Sequence, residues 1–226
     1  TPDLPAQWMR ISQQGGTALA CQGIFLTHAH IGHYTGLMYL GREVMNTKDL
    51  PVFVMPRMRK FLENNGPWNQ LVELNNVDLR SLEKKIKIGT RISVEAIEVP
   101  HRDEYSETVG FIISSDKKLL YIPDIDQWNK WDTSLTEMIA AMDYLLIDGT
   151  FFDSNELPGR NMADIPHPPI VKTIELLADL EPAEKQKVHF IHMNHSNPVL
   201  DTSSKAYKYV VDHGFQLTFE GMTFEL

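Results

Sequence analysis

The chain has 226 residues, 42% hydrophobic and 23% charged, with a net charge of −9 from 21 basic and 30 acidic side chains. That length is enough for a real core, and the composition is that of an ordinary globular protein of one domain spanning 1–226. The acidic balance argues against a protein that grips nucleic acid through phosphates, and no apolar run reaches the roughly 18 residues that span a membrane.

Residues 5–14, with apolar Trp8, Met9 and Ile11, read as a helix closed by Gly15-Gly16. Cys21 is the only cysteine, so no internal disulfide forms. It reads as a small buried side chain in a reducing, cytoplasmic protein. Residues 24–27 make a short apolar strand, and residues 36–45 a helix. A second strand, 51–55, runs into a helix begun by Pro56 and stopped at Asn64-Asn65-Gly66. Strands then follow at 77–82, 86–88 and 91–99, and 108–114 pairs with 119–122 as a hairpin. A helix spans 134–142, with Asp132 or Thr133 as cap and Glu137 near the capping-box position. A buried strand, 143–150, ends on Asp148 and leads into a polar loop, 151–166, of the kind that covers a site. Residues 168–180 read as helix, 188–192 as strand, 193–201 as loop, and 203–213 as helix stopped by Gly214. Residues 215–219 and 222–225 close the chain as a hairpin. Strand and helix alternate, so the class is α/β.

Three histidines, His28, His30 and His33, fall within six residues on a turn after the first strand. A turn lets side chains converge on a point that no regular face reaches. Neutral imidazole is the commonest ligand of a borderline ion such as zinc, so the cluster reads as metal-binding. Further ligand-type residues end later strands: His101, Asp124, Asp148 and His192. Consecutive strand ends on one edge are neighbours in space, so these can share a site.

The stretch His28-x-His30-x-Gly32-His33 resembles the H-x-H-x-D-H signature of the metallo-β-lactamase superfamily. The order that follows also resembles that superfamily: lone histidine, aspartate, lone histidine. The resemblance implies an αββα sandwich, part of whose first sheet would lie before Thr1. It implies a first metal held by His28, His30 and His101. It implies a second held by His33, Asp124 and His192, with Asp124 bridging. Gly32 stands where the family has an aspartate and offers no ligand atom. The second site is therefore weakened, or completed by Asp103, Asp126 or His195. The stretches Tyr34-Thr35-Gly36-Leu37, Asp148-Gly149-Thr150 and His192-Met193-Asn194 are similar to the branch that contains the pyrroloquinoline-quinone biosynthesis protein B.

His167, before a helix, resembles in position a histidine that RNA-processing members place beside the substrate, where it can protonate a leaving group. A surface-loop histidine is the plain alternative. His189 faces away from His192 by strand alternation, and His213 reads as a helix-end histidine. The expected activity is hydrolysis of an ester, lactone or phosphodiester in a small-molecule substrate. Zinc, one or two ions, would supply hydroxide, with Asp124 orienting it; iron or manganese also suits these ligands. The alternatives are an iron-dependent oxygenase of the biosynthetic type and a non-catalytic binding protein on the same scaffold.

Overall fold

The structure is a computed structural model that describes residues 1–14, 21–157, 159 and 165–226. The helix stop expected at Gly15-Gly16 and much of the far end of the 151–166 loop lie outside the described residues. The chain divides into two compact units. Among the described residues, no helix is long and apolar enough to cross a membrane.

The first unit comprises residues 1–84 and 103–109. Helix α1 (Leu4–Gln14) is followed by strand β1 (Ile24–Phe25). Next come a one-turn helix α2 (Ile31–Tyr34) and a 3-10 segment, Thr35–Leu40. The expected α-helix at 36–45 is therefore corrected. Helical backbone begins five residues earlier, takes in His33, and tightens to 3-10 before stopping at Gly41. Strand β2 (Leu50–Val54) leads through α3 (Pro56–Asn64) and α4 (Trp68–Glu73) into β3 (Val77–Ser81). The three strands form one parallel sheet, with Ile24 opposite Val52 and Leu50 opposite Val77. Parallel neighbours need a crossover, and α3 and α4 supply it. The core of this unit gathers Leu37, Leu40, Val52, Val54, Met58 and Leu62. Half-buried Cys21 packs against it, its thiol donating to the Gly23 carbonyl at 3.4 Å.

The second unit comprises residues 85–102 and 110–226. Its strands are β4 (Ile86–Ile88), β5 (Ile92–Glu98), β6 (Val109–Ser114), β7 (Lys118–Ile122), β8 (Tyr144–Asp148), β9 (Val188–Ile191) and β10 (Gln216–Leu217). They order as β10-β9-β8-β7-β6-β5-β4. The hairpin expected at 108–122 is present as antiparallel β6 and β7. The closing hairpin is not: β10 lies parallel to β9, and residues 222–225 form no strand. Helix α5 (Leu135–Ala141) is capped by Ser134, whose hydroxyl accepts from the Glu137 amide at 3.4 Å, not by Asp132 or Thr133. The helix expected at 168–180 is shorter, α6 (Ile170–Leu176), and α7 (Pro182–Lys185) follows it. Helix α8 (Lys205–Asp212) ends at Gly214, whose φ of +87° is the left-handed backbone a helix stop requires.

Strands β7, β8, β9 and β10 are mutually parallel. Leu120, Ile122, Leu145, Ile147, Val188 and Phe190 are each 0% exposed beneath the helices. Each such side chain contributes roughly 1.5–3 kcal/mol of hydrophobic stabilisation relative to exposure. In register, Ile122 lies opposite Ile147 and Asp148 opposite Ile191. That pairing delivers Asp124, Asp148 and His192 to one carboxyl edge.

Candidate metal centre

In the first unit the chain turns directly after β1. The Val109 amide donates to the Thr27 carbonyl at 3.0 Å, and the Ala29 amide donates to the Ser106 hydroxyl at 2.8 Å. These bonds fix the backbone on both sides of His28, which is 1% exposed. His28 and His30 meet edge to face with ring centroids 4.5 Å apart, and His28 and His33 lie 4.3 Å apart. His28 Nε2 lies 3.0 Å from His30 Nδ1. On the outer sides, Thr27 Oγ1 is 3.1 Å from His28 Nδ1, and Glu104 Oε2 is 3.3 Å from His30 Nε2. A carboxylate can only accept, so neutral His30 carries its proton on Nε2 and turns the lone pair of Nδ1 toward His28.

In the second unit the same device recurs. His101, with a side chain 1% exposed, sets Nδ1 3.1 Å from Asp126 Oδ1. The lone pair then belongs to Nε2. Asp126, a candidate to complete the second site, is the carboxylate beside His101 Nδ1, with Lys130 Nζ 3.6 Å away. Asp103, the other carboxylate candidate, is exposed in the first unit and pairs with the Arg57 guanidinium at 2.7 Å. The same guanidinium also reaches the Asp103 carbonyl, and it holds the Asp103 carboxyl below the usual carboxylate range. His195 is exposed in the turn after His192.

Ligand-capable atoms of His101, Asp124 and His167 all lie within 4.8 Å of one another. His167 is therefore no surface-loop histidine. Its Nδ1 lies 2.7 Å from Asp148 Oδ2 and 3.5 Å from Asp124 Oδ1. Burial disfavours its charged form, but the Asp148 hydrogen bond and the Asp148 and Asp124 charges outweigh that and raise its pKa. Asp148, a ligand-type residue by its place at a strand end, has a different role. Its oxygens accept from the Ile125 amide, the Thr150 amide, the Thr150 hydroxyl and His167. Four donors leave it a positioning carboxylate.

Thr150 stands in the sequence only as part of the Asp148-Gly149-Thr150 stretch, with no role assigned to it, and proves central. Its hydroxyl proton goes to Asp148 Oδ1 at 2.7 Å. The same oxygen must then accept from its other neighbours, His192 Nδ1 at 2.9 Å and His167 Nδ1 at 3.2 Å. Asp124 Oδ1 lies 3.2 Å from His192 Nδ1, a charge contact that favours a proton there. His192 thus carries its proton on Nδ1 and presents Nε2. It does so from a left-handed backbone, φ +62°, uncommon for a residue other than glycine and concentrated at functional sites. Gly149 permits the arrangement, since a Cβ there would sit 2.8 Å from Phe190 Cβ and 3.0 Å from the Ile191 carbonyl. Buried Asn197 locks it, donating to the Gly149 and Thr150 carbonyls at 2.9 and 3.1 Å.

Each unit's donors suit a divalent ion. Zinc binds imidazole nitrogen at about 2.0–2.1 Å, which sets tetrahedral donors about 3.3 Å apart. The His28–His30 approach of 3.0 Å is near that spacing. Imidazoles backed by carboxylates are the usual outer shell of a metal site. Gly32, on the exposed face of α2, has nothing within 4 Å of where a Cβ would stand.

A family model described as the beta-lactamase superfamily domain matches residues 1–193. The chain belongs to that family. Coenzyme PQQ synthesis protein B of Pseudomonas protegens is 26% identical over 100% of this chain and 82% of its own length. The Zn(2+)-bound PqqB from Methylobacterium extorquens aligns with a TM-score of 0.73 at 23% identity, over 91% of this chain and 73% of that one. A diphosphatase from the PhnP family aligns at 0.64 and 17%, over 98% and 75%. The fold is therefore the α/β metallo-β-lactamase fold, and the chain is PqqB-like. His28, His30 and His33 are brought together in one unit, and His101, Asp124, His167 and His192 in the other. His213 sits at the carboxyl end of α8, as expected, and His189 packs edge to face on Phe224. Burial lowers the pKa of His189, and His213 Nδ1 donates to the Tyr209 carbonyl at 2.7 Å.

Proposed function

We propose that the chain is a metal-dependent hydrolase acting on an ester, lactone or phosphodiester of a small molecule. His28, His30 and His101 would hold one ion. His33, Asp124 and His192 would flank a second position that Gly32 leaves weaker. The observation that carries this reading is the repeated carboxylate–imidazole pair, Glu104 on His30 and Asp126 on His101. Membership of the beta-lactamase superfamily, and a likeness in fold to a diphosphatase of the PhnP family, support it.

A bound divalent ion supplies Lewis acidity and a hydroxide nucleophile near neutral pH. Asp124, 2% exposed, accepts a hydrogen bond from the attacking water and orients it. His167, its Nδ1 fixed on Asp148, keeps Nε2 for donating a proton to the leaving group. Its raised pKa keeps more of it in the donating form near neutrality. The test is hydrolysis of a bis-aryl phosphodiester and an aryl lactone by zinc-loaded protein, with His167→Gln slowing turnover more on substrates with poor leaving groups. No turnover on any member of either panel would count against hydrolysis.

A second reading is an iron-dependent oxygenase. The likeness to coenzyme PQQ synthesis protein B and the mixed imidazole–carboxylate donors favour it. Oxygen uptake by ferrous-loaded protein separates the two.

A further inference from the structure

A cavity of about 350 Å³ opens in the first unit between one face of α3 and the segment that carries Glu104. Its apolar wall is Phe61 and Tyr105, with ring centroids 5.6 Å apart. Phe61 is braced behind by Tyr34, edge to face at 5.4 Å, so the wall is held at a fixed angle. Tyr105 is nonetheless 63% exposed, so part of this wall faces solvent. Arg57 and Lys60 stand on the rim one helical turn apart. Arg57 is already matched by Asp103, whereas Lys60 has no ion pair among the described residues. The Asn64 side-chain nitrogen donates to the Lys60 carbonyl at 2.7 Å, which leaves the amide oxygen as an acceptor at the cavity edge. Glu104 lines the same cavity and is the carboxylate on His30. The cavity thus stops one side chain short of the histidine trio.

We infer that this cavity binds a planar small molecule carrying an anionic group, its ring against Phe61 and Tyr105 and its charge at Lys60. Aromatic faces stack on planar rings, and an ammonium on the rim selects a carboxylate or phosphate over a neutral isostere. That this ligand is the substrate rests on the metal-centre reading; the binding itself does not.

The test is calorimetric titration of the full chain, metal-loaded and chelator-treated, with 2-naphthoate and with neutral 2-naphthamide. Naphthoate is expected to bind about threefold or more tighter, the size of an exposed charge pair. Lys60→Glu should abolish that preference and Lys60→Gln should reduce it, both at an exposed helix position that tolerates change. Tyr105→Ala should weaken both ligands. Equal binding of the two probes, or a preference unmoved by Lys60→Glu, would overturn the inference. The preference should persist in protein stripped of metal, so a chain that fails to hold metal yet keeps it sinks only the hydrolase reading.

Discussion

Nδ1 of His167 lies 2.7 Å from Oδ2 of Asp148, a carboxylate 0% exposed to solvent. The pair joins two strand ends to the loop before α6, because Asp148 also accepts from Ile125 and Thr150. Asp148→Asn would keep the shape and lose the charge. It should cost about 2–4 kcal/mol in urea unfolding, as for a broken buried charge network. The pH dependence has a definite sign. Because the folded pKa of His167 is raised, its stabilising effect is complete below about pH 6.5, its ordinary value. The effect drains away as pH climbs through the raised folded value. In chelator-treated protein the gap between wild type and Asp148→Asn should therefore be wider at pH 6 than at pH 9.

Thr150 serves two imidazoles with one oxygen. Thr150→Val keeps the volume and removes that oxygen. Both His192 and His167 then lose a proton acceptor, and His192 is free to turn. Metal affinity measured by chelator competition should fall about 10- to 100-fold, as for other losses of outer-shell partners. Thr150→Ser, which keeps the hydroxyl, should restore most of it.

Gly32 is the one position where the superfamily signature is broken, and the space beside it is open. Gly32→Asp should fit without strain and place a carboxylate next to His33. Elemental analysis after dialysis should then rise from one retained ion per chain toward two. An unchanged count would mean that the glycine does not set the stoichiometry.

The candidate ligand histidines were legible because imidazole at a strand end has few other uses in such numbers. Their supports were not. Glu104 and Asp126 sit in charged loops where a carboxylate is expected to be solvated, and only the fold carries His30 and His101 to them. Thr150 is a hydroxyl, the least distinctive of site residues. Most strand and helix positions followed from periodicity, but outside the β6–β7 hairpin the pairing did not. Residues 77–81 read equally well in a meander, yet they join the parallel first sheet. The segment at 35–40 misled because Leu37 and Leu40 are three apart, a spacing that suits 3-10 and α-helix alike.

Anomalous scattering from a zinc-grown crystal would test the metal centre most directly. The expected result is an ion about 2.0–2.1 Å from nitrogens of His28, His30 and His101 together. An ion bound by histidines of one unit alone, or no ion at any of the three, would contradict it.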